Sequence, residues 1–169
     1  MIVIVNDANI LIDIIKLQLL DAFFNLNWHI HSTNLILENE FYDEQKLQLQ
    51  PFIDNGKLII QELDVEDIIS IMNIQSQKPQ LSDKDCSAFH CAQKLNASLI
   101  TSDNTLRKFA EQKKVEVHGH LWVFDALVEH KCITPMKAIA KLNELNSTNI
   151  KLNLPKKECE VRIEIWKLL

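Results

Sequence analysis

Ile2-Val3-Ile4-Val5-Asn6-Asp7-Ala8-Asn9 is a β-branched run that ends in an acid and leads directly into an apolar helical pattern from Ile10. Residues 1–5 suit a buried strand, because branched side chains pack well on a pleated surface covered on both faces. Asp7 then falls where the strand ends and the next helix begins. In open parallel α/β sheets, that carboxyl edge is where ligands bind. A helix N-cap is the competing reading, since Asp before an apolar helical run is common there.

Working outward, the chain alternates strand and helix patterns. Residues 9–24 carry Ile10, Ile14, Leu17, Leu20 and Phe24 at three- and four-residue spacing, which predicts an amphipathic helix. Strands are expected at 28–31, 57–63, 98–101 and 115–117, with helices near 35–41, 64–77, 82–95 and 103–113. Pro51 and Asn55-Gly56 are read as punctuation of a connection. Helices are expected at 121–130, 135–145 and 155–169, with Pro135 and Pro155 near first helical positions. Such alternation implies crossover units and a mostly parallel central sheet in a three-layer α/β/α arrangement. The expected organisation is a domain over 1–146 and a C-terminal helical extension, 147–169, packed on it.

Of the 169 residues, 47% are hydrophobic and 24% charged, as in an ordinary globular protein. The net charge of −5 argues against wholesale electrostatic capture of nucleic acid or membrane, while leaving room for a local basic rim. The opening apolar run is too short for a signal-peptide core and is cut by Asp7, and no stretch approaches a membrane span. With four cysteines and no CxxC pair, the expectation is a cytoplasmic protein with reduced thiols and no membrane partner. Two glycines leave no phosphate loop of the GxxxxGK[ST] or GxGxxG type.

Three more acids fit a site with Asp7. Asp103 follows the apolar run Leu99-Ile100 and precedes a helix, repeating the arrangement, and it too has a cap reading. Asp85 stands three residues after Ser82, as a capping box requires, yet it shares the helical phase of Ala88, Phe89 and Ala92. A carboxylate on an apolar face is costly unless paired or metal-bound. Glu40 follows Ile36 and Leu37 at helical spacing, and is preferred to Glu38, two residues away and pointing elsewhere. Carboxylates gathered on one edge repel one another, and a divalent cation resolves the conflict; oxygen-only ligands favour Mg²⁺ or Mn²⁺ over zinc. Such ions activate water and stabilise displacement at phosphorus. Arg107 and Lys108, near the start of the helix after Asp103, are the expected phosphate contacts. The pairs His29/His31 and His118/His120 lack a third zinc ligand, and no Gly-x-Ser-x-Gly elbow supports a serine nucleophile.

The segments 5–13, 81–89 and 99–110, continuing through Val115-Glu116-Val117-His118-Gly119, resemble in order and spacing a PIN domain, the nuclease fold of many prokaryotic toxin ribonucleases. The resemblance implies that Asp7, Glu40, Asp85 and Asp103 are metal-binding acids, with Thr101 as a supporting hydroxyl and Asn9 ordering the site. It further implies Mg²⁺- or Mn²⁺-dependent RNA cleavage by a homodimer neutralised by a small antitoxin. The helical tail after Gly119 runs longer than in the compact toxins, and the Glu40 segment fits the pattern loosely. A PIN-like binding or scaffold protein without efficient turnover is the alternative.

Overall fold

The structure is a computed structural model and describes residues 2–169. Five strands form one all-parallel sheet: β1 (Ile2–Asn6), β2 (Trp28–Thr33), β3 (Leu58–Gln61), β4 (Ser98–Ile100) and β5 (Val117–His118). Ten α-helices accompany it: α1 (Ala8–Lys16), α2 (Leu20–Phe24), α3 (Asn34–Glu40), α4 (Asp43–Asp54), α5 (Val65–Gln77), α6 (Asp83–Leu95), α7 (Asn104–Gln112), α8 (His120–Glu129), α9 (Pro135–Thr148) and α10 (Lys156–Lys167). Together they make the expected three-layer α/β/α fold. Met1, assigned by its sequence to the first strand, lies outside the described residues.

Strand order decides where a site can form. The order is β3-β2-β1-β4-β5: the chain walks outward from β1 to β3, then returns to lay β4 on the other side of β1. The sheet's direction of growth therefore reverses between β1 and β4, and such a switch point leaves a crevice at the carboxyl ends of the strands. Register places Asn6 beside Ile100, so both strands end at the same level. The ladder continues one step further, with the Asp7 amide donating to the Ile100 carbonyl at 3.0 Å and the Thr101 amide to the His118 carbonyl at 3.1 Å.

Local sequence explains several departures from the expected elements. The helix expected over 9–24 is two, because Gln18 takes a left-handed conformation (φ 57°) that a continuous helix cannot contain. Residues read as a connection around Pro51 form α4, at whose start the Gln45 side chain accepts from the Tyr42 amide at 2.9 Å. Pro51 sits within that helix, which seats the fully buried Leu49 against the core. The C-terminal tail packs back on the body. Trp166 of α10 is buried beside Phe124 of α8, and Arg162 donates to the Asp125 carboxylate at 2.8 Å. No helix among the described residues is long and apolar enough to cross a membrane.

A polar clasp fastens the tail to the first helix. Asp13 of α1 is buried, its Oδ2 lies 2.9 Å from Nε2 of the buried His120, and its two oxygens accept from the Asn149 amide at 3.1 and 3.0 Å. A buried charge deprived of its partners, or partners deprived of their acceptor, costs several kcal/mol. Asp13→Ala is therefore expected to lose about 3 kcal/mol in urea denaturation. Asn149→Ala, which leaves His120 in place, is expected to lose about 1 kcal/mol. Equal, negligible losses in both variants would show that the clasp is not a stability element.

Candidate metal centre

Asp7 begins the site because β1 ends there and the chain turns into α1 at once. It occupies the N-cap position, yet its side chain makes no cap hydrogen bond. Its Oδ2 instead accepts from the Thr101 hydroxyl at 2.7 Å and from the Asn9 amide at 3.1 Å. The carboxylate is 4% exposed, and no lysine or arginine is among the groups that set its ionisation. Burial pushes its pKa up to about 7, the Thr101 hydrogen bond pulls back against that rise, and the charges of Asp85 and Asp103 push it further.

A second buried aspartate shows what a cation changes. Asp67 of α5 is 5% exposed, but Nζ of Lys94 and Nε2 of His90 lie 2.8 and 2.7 Å from its Oδ1. Those hydrogen bonds, Lys94 first, pull its pKa down to about 2 against the opposing effect of burial. The two aspartates thus move in opposite directions: burial dominates at Asp7, whereas the Lys94 and His90 hydrogen bonds outweigh it at Asp67, which lies less deep. No lysine or arginine of the described residues is among the groups that act on Asp7.

The other acids are held more loosely. Asp103 caps α7, its Oδ1 accepting the Leu106 amide at 2.7 Å, while its own amide donates to Oγ1 of Thr101 at 3.0 Å. Thr101 therefore ties the two strand-end acids together. Asp85 completes a capping box, Oδ2 accepting from the Ser82 amide and hydroxyl at 2.8 Å each. Capping and proximity to Asp7 coexist in both residues. Glu40 ends α3, partly buried, with Lys84 Nζ 3.8 Å from its carboxylate; Glu38 is exposed. Lys84 also pairs with Asp83 at 3.0 Å and feels Asp85, so Glu40 joins the acidic edge through a lysine rather than through Asp7.

Arg107 is partly buried. Its guanidinium donates to the carbonyls of Val117 (3.1 Å) and Thr101 (3.2 Å), bracing the ends of β5 and β4. Gly119 leaves room for it: a Cβ there would lie 3.1 Å from Nη2 of Arg107, so the guanidinium would have to give slightly. Lys108 is exposed on α7. Nothing in the sequence pattern distinguishes an arginine that braces backbone from one that meets phosphate. Among the histidines, His118 stacks on Trp122 with centroids 3.9 Å apart, and Trp122 stacks in turn on Trp28 at 4.6 Å. The four cysteines are free, and burial pushes the Cys86 and Cys91 thiols up to about 11 and about 12, which removes them as nucleophiles.

Among the described residues, no three His, Cys, Asp or Glu side chains converge tightly enough to chelate an ion as they stand. Mg²⁺ does not require such a cage, since it keeps several waters and commonly takes only one or two protein carboxylates. An all-oxygen edge with a buried, charge-starved carboxylate at its centre fits a hard divalent cation.

The raised pKa of Asp7 has a defined consequence for stability. A carboxyl whose folded pKa lies above its unfolded value binds more protons in the folded state between the two, so stability falls as pH rises through that window. The window here runs from about 4 to about 7. Asp7→Asn, which keeps the shape and an acceptor for Thr101, is expected to be more stable than wild type at pH 8 by a few kcal/mol. The gain should vanish below pH 4. A gain independent of pH, measured by denaturation in chelator, would contradict the assignment.

The family model described as PIN domain (DUF3368) matches residues 3–165. No curated protein matches the chain. PIN domains are generally nucleases, hydrolases that use divalent metals. The match takes in both sides of the β1/β4 crevice and all but the last turn of α10, and the chain belongs to the PIN-domain family.

Proposed function

We propose that the protein is a metal-dependent endoribonuclease that hydrolyses RNA phosphodiester bonds. The observation that carries this reading is the Asp7 carboxylate, buried at the switch point, pushed up to about 7, with Asp85 and Asp103 as its charged neighbours and no lysine or arginine of the described residues acting on it. In this reading Asp7, Asp85 and Asp103 hold one or two Mg²⁺ or Mn²⁺ ions, with Glu40 on the rim. A cation bound there supplies charge neutralisation at phosphorus and an activated water.

The chain's own residues then have separate tasks. Thr101 and Asn9 fix the orientation of the Asp7 carboxylate, so that one arrangement of oxygens is present before substrate arrives. Asp85 or Glu40, both partly exposed, accepts the proton from the attacking water. Arg107 acts indirectly, by bracing the Thr101 carbonyl from behind.

The open spacing of the acids favours one alternative, a PIN-like binding protein with weak or no turnover. Incubation of the pure protein with structured RNA separates the two readings. Wild type is expected to cleave with Mn²⁺ and not with EDTA, and Asp7→Asn and Asp103→Asn should each lose at least about 100-fold, as removal of a group acting at the reacting phosphate does. Cleavage equal in wild type and Asp7→Asn would overturn the nuclease reading.

The role of a cytoplasmic toxin, acting as a homodimer and neutralised by a small antitoxin, is a further part of the proposal and rests on family likeness. Its support is the family match over most of the chain. Strong expression without a partner is expected to arrest translation and growth. Unaffected growth with folded protein present would remove the toxin role and leave the nuclease reading standing.

A further inference from the structure

Beside the acidic edge lies a groove of about 550 Å³, walled by α1 on one side, the start of α7 on another, and the segment after α9 on a third. It is continuous with the proposed centre, since Asn9 and Asp103 line it. Its rim carries two exposed lysines, Lys16 at the end of α1 and Lys151 in the short turn Ile150–Leu152. Neither makes an ion pair among the described residues, whereas Lys84, Lys94, Lys141 and Lys167 each sit on a carboxylate.

Lys151 owes its position to the buried clasp. Asn149 donates both amide contacts to Asp13, so the turn that follows is pinned across from α1, and Lys151 comes two residues later. Asp13 also lines the groove, but both its oxygens are taken by His120 and Asn149. The remaining acid, Asp103, belongs to the proposed metal set. Neutral donors lie between the lysines, among them Asn104 and Thr105. No aromatic side chain lines the groove among the described residues. A nucleobase would find no stacking platform there, while a sugar–phosphate backbone would find cations and amides.

We propose that this groove is the subsite for the RNA backbone flanking the scissile phosphate, with Lys16 and Lys151 as its phosphate contacts. The inference rests on the nuclease reading, and makes the C-terminal segment part of the substrate site. It also says that recognition here is electrostatic and largely indifferent to base identity.

The test uses the full chain carrying Asp7→Asn, with Mg²⁺ present, and a fluorescein-labelled single-stranded RNA of mixed sequence followed by anisotropy at several salt concentrations. Each contact to a single strand contributes about 0.7 to the slope of log K against log salt. Lys16→Ala and Lys151→Ala are each expected to weaken binding and lower the slope by about 0.7, and the pair by about 1.4. Lys151→Arg should bind like its parent, and so should Lys137→Ala, an exposed lysine of α9 away from the groove. Slopes unchanged in Lys16→Ala and Lys151→Ala, or no salt-dependent binding by the parent, would overturn the inference. Failure of the two proposals is separable: intact metal-dependent cleavage with unchanged slopes removes the groove alone. Reduced slopes in a wild-type background that cleaves nothing remove the nuclease reading alone.

Discussion

The site depends on one unbalanced charge. Asp7 is fixed by the backbone at the end of β1, by the Thr101 hydroxyl and by Asn9, so it cannot swing out to water. Burial there raises the free energy of the carboxylate, and two neighbouring aspartates raise it further. Asp67, by contrast, has Lys94 and His90 within hydrogen-bond distance, and its carboxyl is pulled down instead. Leaving Asp7 without a partner costs stability, and a cation that restores the balance is the simplest return on that cost.

The strand order sets this carboxylate in a crevice. The reversal of the sheet at β1 and β4 opens the edge where Asp7, Thr101 and Asp103 meet. Around that edge the supports run outward in layers. Arg107 holds the ends of β4 and β5 from behind, with Gly119 making room for it. Asp13, His120 and Asn149 hold the tail against α1, where it forms the far wall of the groove.

Much of this was legible in the sequence, and what was not has definite causes. The parallel sheet could be read because β-branched runs and helical spacing alternate without interruption, and Asp7 and Asp103 because each ends such a run. Cap and site were never exclusive: Asp103 and Asp85 cap their helices beside Asp7, so the local pattern could not decide between the readings. The two-helix break at Gln18 was hidden because no Gly or Pro marks it. The clasp joins residues 13, 120 and 149, and contacts so distant in sequence leave no periodic trace. Sequence shows the charge of Arg107 and not the Val117 and Thr101 carbonyls that its guanidinium meets.

The central claim is that the Asp7 edge is a divalent-cation site whose carboxyl has its pKa raised by burial. Calorimetric titration of Mn²⁺ into the protein at pH 7, repeated in buffers of different ionisation enthalpy, tests it directly. Wild type is expected to bind saturably and to release protons on binding, because metal ligation requires a deprotonated carboxylate. Asp7→Asn should bind more weakly and release none. Absence of saturable binding, or the same heat and proton release in Asp7→Asn, would contradict it.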